Sequence, residues 1–502
     1  MMGRGCIPVV PKHGRFVIGL LLVLVVRSHS VMAGEPAPFR SQELVQPFDD
    51  VLTCDLDGNG LDDITLIVKE RLIVHLHRAG EGVSPAPNAE YVCSDGPAVV
   101  WPARLRPAQG VCLLVMTAHG VSALTYASGQ FAKTPLIDGR TILPDQAPRE
   151  GPPIVVGKLS AGTRERQTTI FVPTNEGLEL WREQEGRWCK TQVLKAVDST
   201  AELACNGTYL ERAEINLSIG DWNADGWEDL MTRCVVPGQD KAIFRLYPQT
   251  PDGTFGPEPR GQLQTANDPY TWFGFADLDR DGQVDLLKGV WTKEPSFLPG
   301  TYSGRVVVMV ERPLAAGGDR ESARQYFRKS DWCPSVPVVD VDGDGLLDLV
   351  LGTALLSVRE DVRKALLSFG FDHNLKIYFN RKEGGYPRKP DCQKDVVIRF
   401  DTSSVPLSWT RKDYLDRLMT LDGDFNGDGK RDLLIRDRFR EASVYFFKSR
   451  QAGFSQQADV TFPAEHVERF TVTDLNRDGI SDLLVAQTSP RLLRIFLSGP
   501  KR

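Results

Sequence analysis

Short apolar runs of β character recur along this chain, and each is interrupted by the same kind of polar stretch. Trp272 to Leu278, Val338 to Val341 and Phe470 to Leu475 run into acidic, glycine-bearing segments, and the chain leaves these as Asp-Leu-Leu or Asp-Leu-Val. A further apolar run follows at Ala242 to Tyr247, Leu375 to Asn380 and Ala442 to Lys448. These end at turns with glycine and an aromatic: Pro251-Asp-Gly-Thr-Phe255, Glu383-Gly-Gly-Tyr386 and Gln451-Ala-Gly-Phe454. Runs this short, bounded by Gly, Asp and Asn, predict strands joined as hairpins.

The interrupting segments share a nine-residue pattern, clearest in Asp340, Asp342, Asp344, Gly345 and Asp348. Carboxylates at positions 1, 3, 5 and 9 can converge on one hard cation, because calcium takes about six to eight oxygens and these side chains are short. Glycine at position 6 supplies the positive φ that bends the loop around the ion. The pattern recurs at Asp55, Asp57, Asn59 and Asp63; Asp221, Asn223, Asp225 and Asp229; Asp277, Asp279, Asp281 and Asp285; Asp424, Asn426, Asp428 and Asp432; and Asp474, Asn476, Asp478 and Asp482. Position 12, where an EF-hand needs a bidentate glutamate, is Leu66, Thr232, Lys288, Leu351, Ile435 and Val485, which excludes that motif. The expectation is up to six Ca²⁺ ions.

Loops begin at 55, 221, 277, 340, 424 and 474, and the long first gap has room for two units without carboxylates. Ala98 to Leu105, Val111 to Met116 and Ala123 to Tyr126 form one; Ile154 to Leu159, Thr169 to Val172 and Leu178 to Trp181 form the other. The last unit, which closes on Arg491 to Leu497, lacks an outer strand that Phe39 to Val45 can supply. The predicted fold is all-β, a β-propeller of four-stranded blades over residues 34–502, eight by repeat count with seven as the alternative, decorated by short helical insertions.

The repeated D-x-D/N-x-D/N-G-x-x-D loop, Phe273-Gly274 ahead of one loop and the Gly-x-Phe turns resemble the FG-GAP or VCBS repeat family over nearly all of residues 39–502. The integrin α-subunit members of that family form β-propellers with calcium in these loops, which implies the same fold and metal here. The two units without carboxylates depart from the family pattern, so the resemblance implies no calcium there. Function does not follow from this fold alone.

Residues 1–33 are of another kind: Arg4, Lys12 and Arg15 precede an eleven-residue apolar core, Phe16 to Val26, and Val31-Met32-Ala33 reads as a cleavage site. This predicts a signal peptide and export to the periplasm, cell surface or extracellular space, with no membrane span. Its removal takes four basic residues and moves the formal net charge from −6 to about −10, and six bound Ca²⁺ would bring the chain close to neutrality. No basic patch points to nucleic acid. Eight cysteines remain, without the C-x-x-C spacing of zinc or redox sites, and structural bridges and buried thiols both fit.

In each unit the calcium loop joins strands 1 and 2, so insertions between strands 2 and 3 and in the crossovers share the opposite rim. Ser357 to Ser368 and Thr410 to Met419 read as short helices there, and Trp291 to Gly304 as a Pro- and Gly-rich insertion. Tyr270, Trp272, Asp331, Trp332 and Arg417 are the candidate ligand-binding residues, of a kind that suits a sugar or a peptide side chain. Three roles fit: an exported interaction module for an extracellular protein or glycan, which we prefer; a lyase-like enzyme acting on polysaccharide; and a purely structural surface protein. His75, His77, His119, His373 and His466 are scattered, and no hydrolase or zincin signature stands beside them, so no catalytic residue is assigned.

Overall fold

The computed structural model describes residues 39–96, 98–106, 110–144, 156–160, 166–196, 199–203, 209–213, 215–221, 225–235, 241–266, 271–278, 280, 285–294, 303–311, 324–329, 338–354, 370–381, 385–399, 419–438, 440–488 and 490–499. Among these every regular element is a strand, and no helix is long and apolar enough to cross a membrane. The signal peptide expected at residues 1–33 lies outside them.

Eight sheets have four antiparallel strands each. Taken in chain order they open with Asp50–Cys54, Ala98–Ala103, Val156–Ser160, Ile215–Gly220, Thr271–Ala276, Val338–Val339, Met419–Gly423 and Val467–Thr473. The sixth is representative: Val338–Val339, Asp348–Ala354, Gly370–Tyr378 and Cys392–Arg399 pair in sequence order as a meander. The eighth takes Val467–Thr473, Asp482–Thr488 and Arg491–Ser498 from one end of the unit and Phe39–Leu44 from the other, in register from Phe39 opposite Ser498 to Leu44 opposite Leu493. The strand expected at Phe39 to Val45 is therefore present and pairs where the open edge was anticipated. Arg494 adds a two-pronged ion pair to Glu43 at 2.6 and 2.8 Å.

Burial explains the pattern of apolar positions. Second strands such as Cys112–Thr117 are buried at every residue, because a neighbouring sheet covers each face. Fourth strands such as Ala89–Val92 alternate half-buried and exposed positions, because only one face is covered. Apolar clusters bridge successive sheets: Leu44, Ile64, Leu66, Leu484 and Leu493 join the eighth to the first, Cys54, Leu72, Val100 and Leu113 the first to the second, and Phe379, Leu433, Phe447 and Phe462 lie in a cluster spanning the sixth to eighth.

Polar staples add direction to this packing. The Gly-and-aromatic turns form small hairpins or bridges beyond the third strands, with Phe255, Tyr386 and Phe454 buried. Each docks on the preceding sheet. The Gln325 amide accepts from Tyr386 N–H and donates to its carbonyl, both at 3.0 Å. Gln192 pairs the same way with both backbone groups of Phe255, and Gln42 with those of Val83. Lys394 of the sixth sheet makes the corresponding contact to the seventh, donating to Ser455 O at 2.6 Å.

Two expectations are corrected here. Trp291 to Gly304 is not wholly an insertion, because strand Asp285–Glu294 runs through Trp291 and pairs out to Glu294 opposite Ser303, with Gly304 also in the ladder. Alternate backbone pairing needs no particular side chains, so the aromatic and Pro/Gly composition misled. Met419, expected to end a helix, opens the strand Met419–Gly423; the rest of that segment and the helix expected at Ser357 to Ser368 lie outside the described residues. Of the two cysteine readings, Cys54, Cys93, Cys112, Cys189 and Cys392 are free thiols, while Cys205 and Cys333 lie outside the described residues. Burial pushes the Cys93 and Cys112 thiols up to about 11, which leaves them inert as nucleophiles.

Replacing Gln325 with alanine strands two backbone groups of Tyr386 and is expected to cost about 1 to 3 kcal/mol in urea unfolding. Tyr326→Ala, at the neighbouring side chain that is 53% exposed, should stay within about 0.5 kcal/mol. His373 is 2% exposed and burial lowers its pKa from 6.5 to about 4. The unfolded chain binds the proton that the folded one refuses, so stability should be full above pH 6.5 and fall by about 3 kcal/mol as pH drops to 4. His373→Leu should flatten that part of the pH profile of the melting temperature.

Candidate metal centres

All six nine-residue loops lie between the first and second strands of their sheets. Position 1 shapes the loop. The two carboxylate oxygens of Asp340 accept from Gly343 N–H at 2.8 Å and Gly345 N–H at 2.7 Å, and Asp55 does the same with Gly58 and Gly60 at 2.8 and 3.0 Å. Gly345 has φ of 92° and Gly60 of 90°, where a side chain would be strained. One oxygen of positions 3 and 5 braces the bend: Asp342 Oδ1 accepts from Asp344 N–H at 3.3 Å and Asp344 Oδ1 from Leu346 N–H at 2.8 Å.

Position 9 does something the sequence reading did not anticipate. Asp348 is fully buried, and its Oδ2 accepts from Val341 N–H while Oδ1 accepts from Asn380 N–H, just past the third strand, both at 2.9 Å. Asp63 holds Leu56 and His77 in the same way, Asp432 holds Phe425 and Phe447, and Asp482 holds Leu475 and Ser498. Asp229 reaches Gln249, and Asp285 reaches Leu278. The carboxylate thus ties the entry of the loop to the end of the third strand. Its recurrence before an apolar run in every loop was the available signal.

Burial pushes the carboxyls of Asp63 and Asp482 up to about 6, and those of Asp348 and Asp432 up to about 7, although backbone N–H groups pull the other way. Neighbouring loop carboxylates add to the rise at Asp348 and Asp432. Such a site favours a cation. Oxygens of Asp55, Asp57 and Asp63 lie within 4.8 Å of one another, as do those of Asp340, Asp342 and Asp348. An all-oxygen, mostly carboxylate set of this size suits calcium rather than zinc or copper. In the loops at Asp424 and Asp474 position 3 is Asn426 and Asn476, neutral amides whose oxygens accept from Asp428 N–H and Asp478 N–H at 2.9 and 3.0 Å. Asp221, Asp225 and Asp277 are in place, whereas Asn223, Asp279 and Asp281 lie outside the described residues.

Arginines accompany the loops. Arg450, at the tip of the hairpin Phe447–Ser449 with Gly453–Phe454, belongs to the seventh sheet but bonds Asp342 and Asp344 of the sixth. Arg477, position 4 of the eighth-sheet loop with φ of 54°, reaches Asp62 at 2.8 Å and Asp55 at 4.0 Å in the first. The loops also bond to one another through their backbones: Leu347 N–H to Leu278 O, Arg431 to Val341, Ser481 to Asp424 and Asp62 to Leu475. A cavity of about 260 Å³ between the last two loops is lined by Asp424, Asp474, Arg431 and Ser481.

Of the candidate ligand-binding residues, Tyr270, Asp331, Trp332 and Arg417 lie outside the described residues. Trp272, which opens the strand-like run Trp272 to Leu278, has its backbone in the first strand of the fifth sheet opposite Gly289; its side chain lies outside the described residues.

No curated protein matches the chain. A solved structure of a lectin from Agrocybe aegerita, studied for its recognition of non-reducing terminal N-acetylglucosamine, aligns at 14% identity over 70% of this chain and 80% of the lectin, with a TM-score of 0.35. That likeness is too slight to argue from. The profile described as FG-GAP-like repeat matches residues 216–287 and 424–485, two stretches that each contain loops built as above. In these two stretches the chain carries FG-GAP-like repeats.

Proposed function

We propose that this chain is an exported, calcium-stabilised β-propeller of eight blades that serves as an interaction module for an extracellular protein or glycan. The observation that carries the calcium reading is the recurrence of one carboxylate loop at one place in six of eight sheets, each with its position-9 aspartate buried. Closure into a ring is supported by the pairing of Phe39–Leu44 with Arg491–Ser498 and by the loop-to-loop bonds that run from the fifth sheet through the eighth to the first. The interaction role rests on the FG-GAP-like repeats. With calcium on one rim, the opposite rim is free for a partner, and Tyr270, Trp272, Asp331, Trp332 and Arg417 are the proposed contacts there.

Calorimetric titration of the chain without residues 1–33 should find about six calcium sites in the range of roughly 10⁻⁴ to 10⁻³ M that extracellular modules use, with a clear rise in melting temperature over chelator. One or two sites with no stabilisation would overturn the calcium reading. Two aspartates of the first loop should separate. Asp57→Ala removes an exposed ligand, lowering the stoichiometry by one and the stability in chelator by less than about 1 kcal/mol. Asp63→Ala also cuts the bonds to Leu56 and His77 and should cost about 3 kcal/mol or more even without metal.

A further inference from the structure

We infer that Arg450 is a resident counter-cation of the loop from Asp340 to Asp348, so that this loop keeps its metal-ready shape without calcium and takes the ion only by displacing the guanidinium. The inference rests on the calcium reading above. The bracing pattern is its first support: Asp342 and Asp344 each spend Oδ1 on a backbone N–H inside the loop, which leaves Oδ2 of each to face a cation. Arg450 takes those two oxygens, Nε to Asp342 Oδ2 and Nη2 to Asp344 Oδ2. A planar guanidinium spanning two carboxylates is the geometry for which arginine is suited and lysine is not.

The second support is how firmly the arginine is held. Its guanidinium carbon lies 5.0 Å from the centroid of the Phe379 ring, and Phe379 itself packs edge-on against Phe447 of the arginine's own hairpin. The hairpin is anchored, since Phe454 is buried and Lys394 bonds Ser455. The Arg450 side chain is 42% exposed but fixed on two sides, so it loses little further freedom in reaching the loop. The third support is charge. The loop has four carboxylates, as has the one at Asp277, whereas those at Asp55, Asp221, Asp424 and Asp474 have three and an asparagine, so this loop is one of the two with the greater need of a permanent positive charge. A guanidinium at the ion's own oxygens also repels an incoming Ca²⁺ and must be moved aside, so this should be the weakest of the calcium sites.

Calcium titration and thermal melts of the wild type, Arg450→Met and Asp342→Ala/Arg450→Met decide the matter; methionine keeps apolar contact with Phe379. The wild type should show one site at least about tenfold weaker than the others, Arg450→Met should bring that site into their range, and the double variant should lose it. In chelator Arg450→Met should melt several degrees below the wild type. If Arg450→Met does not fold in chelator, Arg450→Lys should, with an affinity between the two. An isotherm of Arg450→Met identical to the wild type, or a weak site made weaker, would overturn the inference while leaving the calcium reading intact. A wild type that binds no calcium would overturn both.

Discussion

The interaction on which the rest of this molecule depends is a buried aspartate accepting two backbone N–H bonds. In four loops the ninth residue holds the loop entry with one oxygen and the end of the third strand with the other, so three strands meet at one carboxylate. Bonds from backbone N–H to an ionised acceptor are roughly twice as strong as neutral ones, and they are directional. The arrangement has a cost, because burial favours the neutral acid and the carboxyls sit near 6 to 7. A cation beside the carboxylate offsets that cost. The proposed metal would thus serve the anchor as well as the exposed carboxylates.

Contacts between sheets divide into two sets. Near the loops, neighbouring turns share backbone hydrogen bonds and arginines reach across from one sheet to the next. Just beyond the third strands, near enough for Tyr386 to donate its hydroxyl to Leu347 O of a loop at 2.8 Å, glutamines on outer strands seize both backbone groups of a buried turn residue in the following sheet. Apolar packing accompanies both sets, and at the second and third sheets, which have no carboxylate loop, clusters around Val99, Leu114, Ile170 and Val172 join them.

What was legible in the sequence was local. A loop of nine residues has its carboxylates, its glycine and its following apolar strand within one window, so Asp340 to Asp348 could be read without knowing the fold. The hairpin rhythm also exposed the two units without loops, whose strands Cys112–Thr117 and Arg166–Thr174 lie where Val111 to Met116 and Thr169 to Val172 were expected. What was not legible depends on register between sheets. Arg450 stands 108 positions from Asp342 and Gln325 stands 61 from Tyr386, and nothing in the neighbourhood of either names its partner. The second role of the ninth aspartate was hidden for the same reason, since Asn380 comes 32 residues after Asp348.

The eighth sheet has a kinetic meaning as well as a structural one. Its outer strand and its neighbour are joined by the ion pair of Glu43 with Arg494, whose members stand 451 positions apart. Closing a loop of that length is entropically expensive and slow compared with forming the meanders in between, which are built from near neighbours in sequence. The intermediate sheets can therefore assemble early while Arg491–Ser498 waits with an unpaired edge. Throughout that interval the molecule is most exposed to strand exchange with another copy of itself, and the speed of this last pairing sets how much of the population is lost to aggregation.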